Sequence, residues 1–264
     1  PTMTQLVDLI AINELLGTVE SSGDGKNANL VAQLETESLA DKAAEFKTTN
    51  NDDTIGWIRI PNTNVDYPVV YKAGVENYAY YESKGYDKQY SKDGVIWADY
   101  ECTFPELSQN TTLYGHNWHN IYTPRTQANM QANDLMFSLV MSYNYTDFAQ
   151  ENPFIYFSTT EQDYVFQVFA SYYTDLNFGY NYAQMSQEDF QKVIAEAKAK
   201  SLSNYNVPVT SEDKIVTLST CTRVHGNTNN QRFVVMAKLV PVGTPSTTIS
   251  THSNPIAYNS SIDA

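Results

Sequence analysis

Apolar positions along this chain switch between two periods. Met3, Leu6, Val7 and Ile10 recur at helical spacing and predict an amphipathic helix over residues 3–16. Ser21 to Asn29 is small and polar and reads as a break, after which Leu30, Val31 and Leu34 carry a weaker helix over 30–46. From Thr54 the texture becomes strand-like. Thr54–Ile60 ends at Pro61, and Val65–Tyr71 follows with Pro68 marking an edge or a bulge. Residues 77–92, rich in Tyr, Ser, Lys and Gly, read as an exposed loop. Gly94–Tyr100 and Asn110–His116 are further strands. Asp134 is placed to cap a helix reaching about Tyr145, with Phe137, Val140 and Met141 on its face. Phe154–Phe157 is a strand opened by Pro153, and Asp163–Thr174 is a long alternating one.

The clearest helix covers 187–200. Ser186 sits at its N-cap with Asp189 three positions on, and Phe190, Val193, Ile194 and Ala197 form its apolar stripe. Lys198 and Lys200 suit its C-terminal dipole. Beyond it, Lys214–Cys221 is β-branched and ends abruptly in a cysteine. Arg232–Leu239 then alternates, with Phe233, Val235, Ala237 and Leu239 on one face. The Ser-, Thr-, Asn- and Pro-containing tail after Pro241 is expected to be disordered. Many short strands with helices at the margin predict a mostly β, α+β architecture, a barrel or a sandwich.

Composition narrows the function. The chain has 264 residues, 42% of them apolar, which is enough for a sizeable core. A net charge of −14 argues against nucleic acid as a partner and against a polybasic membrane patch. Tyrosine, at 20 copies against 11 phenylalanines, suits half-buried sheets and grooves. No apolar run of about 18 residues is present to span a bilayer, and no signal peptide is seen. Cys102 and Cys221 make no disulfide framework and no C-x-x-C. The four histidines, His116, His119, His225 and His252, lack zinc-ligand spacing to either cysteine. His116 and His119 would share a metal at i, i+3 on a helix, but Gly115 and the neighbouring asparagines make a loop there. No metal or other cofactor is expected.

Cysteine catalysis needs a thiolate, a proton donor for the leaving amine and a stabiliser of the oxyanion. Cys221 is the better nucleophile, ending a strand whose alternation puts Ile215, Thr217 and Ser219 on its own side. Cys102 has Glu101 beside it, which opposes thiolate formation. His116 also ends a strand, with His119 and His225 as rivals for the acid–base role. Arg232, at the start of the next strand, can face the same cleft as Cys221, although a lone arginine more often pairs with one of the 30 acidic residues. The bland alternatives are an inert cysteine in a non-enzymatic surface β-module, or a plain cysteine hydrolase.

Thr217-Leu218-Ser219-Thr220-Cys221, with Arg232 just ahead of Phe-Val-Val, resembles the active-site signature of the sortases. Tyr114-Gly115-His116-Asn117 is similar to their catalytic histidine segment. Gly56-Trp57-Ile58-Arg59-Ile60-Pro61, Val65-Asp66-Tyr67-Pro68-Val69, Gly94 to Tyr100 and Asn152 to Phe157 resemble class B in particular, so the likeness runs from about residue 50 to 241. It implies a closed eight-stranded β-barrel over 50–241, an N-terminal helical segment over 1–49 behind a single-pass membrane anchor, and a flexible tail over 242–264. It implies a transpeptidase on the outer face of Gram-positive cells that cuts a C-terminal sorting signal after Thr. The partners implied are surface or pilin proteins bearing that signal, with an amine of the peptidoglycan cross-bridge or a pilin lysine as acceptor. Carried over by residue, Cys221 is the nucleophile, His116 the general acid and base, and Arg232 the oxyanion stabiliser; Ser219, Thr220, Asn77 and Tyr81 are groove contacts. The chain departs from several class B members in having Arg223, not an acid, two positions past the cysteine. Nothing acidic lies between Cys221 and Arg232, which excludes a Cys-His-Asp triad using that loop. The loop is also about one residue longer than in some relatives.

Overall fold

The computed structural model describes residues 30–256. The helix predicted over 3–16, the break at 21–29 and residues 257–264 of the tail lie outside the described residues. Ten strands follow in chain order: β1 (Thr54–Arg59), β2 (Asp66–Val70), β3 (Ile96–Ala98), β4 (Asn110–Tyr114), β5 (Phe154–Thr159), β6 (Asp163–Asp175), β7 (Ser203–Asn204), β8 (Ile215–Cys221), β9 (Gln231–Val240) and β10 (Ser250–Thr251). Eight of them close a barrel in the order β1-β2-β3-β4-β8-β9-β6-β5, while β7 and β10 form a separate ladder. Pro68 faces Trp57 within the β1–β2 ladder, whose irregularity falls between Thr54 and Gly56, and β3 pairs with β2 only at Val69 and Val70, so Pro68 stands where its strand has no ladder partner on the other side.

Most neighbours are antiparallel, but β2–β3 and β4–β8 are parallel. The β4–β8 pairing brings together two strands about a hundred residues apart in sequence, and it builds the site. Ile58, Val69, Ile96, Leu113, Leu218, Phe233 and Val235 fill the barrel interior. Strand β6 is buried on both faces because a helix, α3 (Gln187–Lys200), packs on its outer side. Ser186 caps α3 by accepting from Asp189 N, worth about 1 kcal/mol. Phe190, Ile194 and Ala197 are its buried stripe, as the spacing predicts.

Three local expectations fail for one kind of reason, a long-range partner. The helix predicted over 30–46 begins only at α1 (Leu39–Thr49), capped by Ser38. Residues 30–32 instead run extended along the tail: Ala32 N donates to Thr244 O at 2.8 Å, Gly243 N to Ala32 O at 2.7 Å and Ser246 N to Leu30 O at 2.6 Å. The same contacts overturn disorder over 242–256, where Ile249 is buried and β10 pairs with β7. Asp134 caps nothing. It is fully buried and paired with Arg125 at 2.7 Å, and the segment after it is a 3-10 helix, Ser138–Asn144, buried through Tyr143 and so not amphipathic. A short helix α2 (Thr146–Glu151) follows.

Candidate active site

The β8–β9 ladder pairs Cys221 directly with Arg232. Directly opposed residues leave an antiparallel ladder on the same face with Cβ atoms about 5 Å apart. Strand register alone therefore sets the thiol beside the guanidinium. Residues 215–220 are buried, and Cys221, the last of β8, is the first to emerge. Arg232 Nη1 donates to Asn229 O and Gln231 O, both at 2.9 Å. Among the described residues, Arg59 and Arg125 are the arginines paired with a carboxylate; Arg232 has none in reach. The loop 222–231 holds it from behind. Buried Gln231 donates to Gly226 O at 2.6 Å and to Thr228 Oγ1 at 2.8 Å, and Arg223 Nη2 donates to Asn229 Oδ1 at 2.7 Å.

Histidine arrives from the parallel side. Tyr114 is in register with Ser219, and the pairing continues through Gly115 N to Ser219 O and Thr220 Oγ1 to Gly115 O at 2.8 Å. His116 follows two residues past Tyr114, where β4 has ended, and Cys221 two residues past Ser219 at the end of β8. Asn117 Nδ2 donates to Cys221 O at 3.3 Å and locks the two strand ends together. The imidazole lies against Trp118, with centroids 5.1 Å apart, and Trp97, at 5.6 Å. Its Nε2 is 2.6 Å from Glu82 O. A carbonyl only accepts, so Nε2 carries the hydrogen there and Nδ1 is the nitrogen left for proton transfer. Gly94, at φ 63°, makes room for the ring, since a Cβ there would lie 2.7 Å from His116 Cδ2.

Cys221, His116 and Arg232 line one cleft of about 300 Å³. Ser219 and Thr220 line it too, Ser219 Oγ lying 2.8 Å from the Tyr180 hydroxyl. Asn77 and Tyr81 do not. Asn77 turns back to Ala73 O at 2.7 Å, and Tyr81 is buried with its hydroxyl donating to Asp53 Oδ2 at 2.6 Å. Their neighbours Tyr78, Ala79 and Glu82 face the cleft in their place. His119 is exposed outside it, and His225 packs on Tyr173, 4.7 Å between centroids. Cys102 is buried, and burial pushes its thiol up to about 12, with Asp99 and Glu101 adding smaller contributions in the same direction. Sequence reading missed Trp97, Asp99, Tyr180 and Asn181 in the cleft wall. Tyr114 lines the cleft as well, and its place at the end of β4 is a signal that the strand pattern carries.

The sortase domain family matches residues 58–240. Sortase B of Staphylococcus aureus is 31% identical over 193 residues, covering 73% of this chain and 72% of that protein. Sortase B of Listeria monocytogenes is 29% identical over 191 residues, covering 72% and 71%. A solved S. aureus sortase B–substrate complex superposes with a TM-score of 0.64 at 28% identity, covering 78% of this chain and 88% of that one. With the barrel order and the parallel β4–β8 pairing on the same residues, the chain belongs to the sortase family of cysteine transpeptidases, in its class B branch.

Proposed function

We propose that Cys221, His116 and Arg232 carry out acyl transfer on a C-terminal sorting signal. The Cys221 thiolate attacks the carbonyl carbon of a Thr residue, and the charge that develops on its oxygen is met by N–H donors of Arg232 not spent on the loop carbonyls. His116, as imidazolium, gives its proton to the departing amine as the C–N bond breaks, leaving a thioester on Cys221. An incoming amine then attacks that carbonyl, loses a proton to His116 and expels the thiolate. The observation that carries this reading is the convergence on one cleft: Cys221 faces Arg232 across the β8–β9 ladder, and His116 lines the same cleft from just past the end of β4, the strand beside β8. An arginine beside a thiol with no carboxylate in reach is placed for a developing anion.

Ser219, Thr220, Tyr78 and Ala79 are the side chains that this reading puts along the substrate. The likeness to a sortase B–substrate complex favours a sorting peptide as donor, of Asn-Pro-x-Thr type, and either a peptidoglycan cross-bridge amine or a pilin lysine as acceptor. In this reading the barrel works outside the membrane of a Gram-positive cell, held by a segment N-terminal to it; no helix of the described residues is long and apolar enough to cross a bilayer.

Intact-mass spectrometry with a panel of sorting peptides tests the donor step through an acyl adduct on Cys221. Hydroxylamine or oligoglycine tests the second step. A transpeptidase turns over faster when amine is added, whereas a plain hydrolase releases acid at the same rate, and that second result would sink the transfer reading.

A further inference from the structure

Asp99 is a buried carboxylate on the cleft wall, 7% exposed, just past the end of β3. Its Oδ1 accepts from Glu101 N at 2.9 Å and its Oδ2 from the Tyr114 hydroxyl at 2.7 Å; Asn181 Nδ2 in turn donates to that hydroxyl at 2.9 Å. It has hydrogen bonds but no counter-ion: no Lys or Arg of the described residues lies within ion-pair reach. Two other shielded acids differ. Asp134 pairs with Arg125, and Asp53 with Lys72 and Lys88. An anion taken out of water without a cation is costly, and burial accordingly raises its carboxyl above the usual range. Beside it, the rings of Trp97 and Tyr114 line the same cleft, 5.5 Å apart and tilted by 38°. Carboxylate and aromatic faces together suit an ammonium group.

We propose that Asp99, with Trp97 and Tyr114, forms a subsite for an ammonium group on a peptide bound in the cleft. This rests on the acyl-transfer reading for what the peptide is. Asp99 N donates to Thr112 O at 2.9 Å, which places Asp99 opposite Thr112 on the β4 edge. Its carboxylate reaches along the strand to the Tyr114 hydroxyl, and the Trp97 ring lies 5.6 Å from the His116 ring, so the subsite adjoins the catalytic group. A peptide whose reacting carbonyl is at Cys221 therefore presents to the subsite a long side chain from a residue close to that carbonyl. A lysine of the sorting peptide and a lysine of the acceptor have the same chemistry.

Two arms separate those sources. The first measures calorimetric binding, to Cys221→Ala, of donor peptides carrying Lys, Gln or Glu at each of the positions flanking the Thr. The second does the same with acceptor peptides carrying Lys, Gln or Glu. Turnover by the active enzyme is measured in parallel. The expected result is that Lys binds at least ~10-fold tighter than Glu in one arm, and that adding Asp99→Asn brings the ratio within about 2-fold while the Gln peptide still binds. The Lys–Glu comparison on an unaltered Asp99 needs no folded Asp99 variant. Equal binding of Lys and Glu in both arms, or a preference unchanged by Asp99→Asn, overturns the subsite. A Lys preference in binding that Asp99→Asn abolishes, with no peptide turned over under any condition, keeps the subsite and removes the acyl-transfer reading instead.

Discussion

Cys102 and Cys221 carry the same side chain into opposite surroundings. Cys102 sits in the turn after β3, 1% exposed, its thiol 3.9 Å from Asn110 O and pushed up to about 12. Cys221 ends a strand, emerges half-buried into the cleft and faces an arginine with no carboxylate in reach. Glu101, adjacent in sequence, opposes the Cys102 thiolate only weakly; burial is the larger cause of the raised thiol. What separates the two cysteines is where the strand stops and what the next strand carries, not the neighbouring letters. Reactivity here is a property of the ladder.

The sharpest way to break the comparison is to exchange the fates of the two thiols. Cys221→Ala should abolish every acyl product, a loss of at least ~10³-fold, while a thiosulfonate should modify Cys221 in the folded protein and spare Cys102 until it unfolds. Peptide turnover by Cys221→Ala, or labelling of native Cys102, would remove the distinction. Next in size is the partner across the ladder. Arg232→Lys keeps the charge but loses the planar fork, and kcat should fall about 10²–10³-fold, the usual range for one oxyanion donor. A drop confined to KM would mean that Arg232 only binds substrate.

Gly94 tests the other wall of the site. Alanine there must adopt φ near 63° and push a Cβ toward His116 Cδ2, so the imidazole has to shift. The left-handed conformation costs about 1–2 kcal/mol, and kcat should fall about 10-fold with KM little changed and Cys221 still open to alkylation. Equal losses at Cys221 labelling and at turnover would instead report a general loosening of the barrel.

How far these features were legible depends on how local their causes are. β8 and β9 could be read because alternation and a β-branched run are local signals, and α3 because its cap and stripe are. The stretch from Leu30 to Leu34 was misread because its apolar spacing is helical, whereas its hydrogen bonds go to residues 243–246, more than two hundred positions away. Asp134 looked like a cap because Arg125 was not visible as its partner. In the site, Cys221 ends β8, Arg232 is the second residue of β9 and His116 lies two residues past the end of β4, so all three stand close to strand ends that alternation makes legible. Asp99 and Asn181 are not legible in this way, since they meet only once β3, β4 and the segment after β6 close around the cleft. The resemblance makes Asn77 and Tyr81 groove contacts, whereas Tyr81 is drawn inward by Asp53 and Asn51.

The smallest expected effect returns to buried acids and compares two of them by pH. Burial raises the Asp99 carboxyl despite its hydrogen bonds. Between the unfolded value, near 3.9, and its higher folded value, the native chain keeps a proton that the unfolded chain has released, so stability falls as pH rises through that window and does not return above it. Asparagine cannot ionise. The Tm of Asp99→Asn relative to the parent should therefore climb by a few degrees as pH rises from about 4 through the folded value and then level off. Asp53 runs the other way. Burial works against its ionisation, but donors from Tyr81, Lys72 and Lys88 together outweigh that and hold its carboxyl below the usual range. Its stabilisation is present above the unfolded value and lost as pH falls through the folded one, so Asp53→Asn should lower Tm near neutrality and converge with the parent in acid. Thermal melts of both variants across the pH range would show two difference curves of opposite slope. Parallel curves would mean that Asp99 is already compensated by a charge within the protein, and the cleft would then have no unpaired anion to offer a ligand.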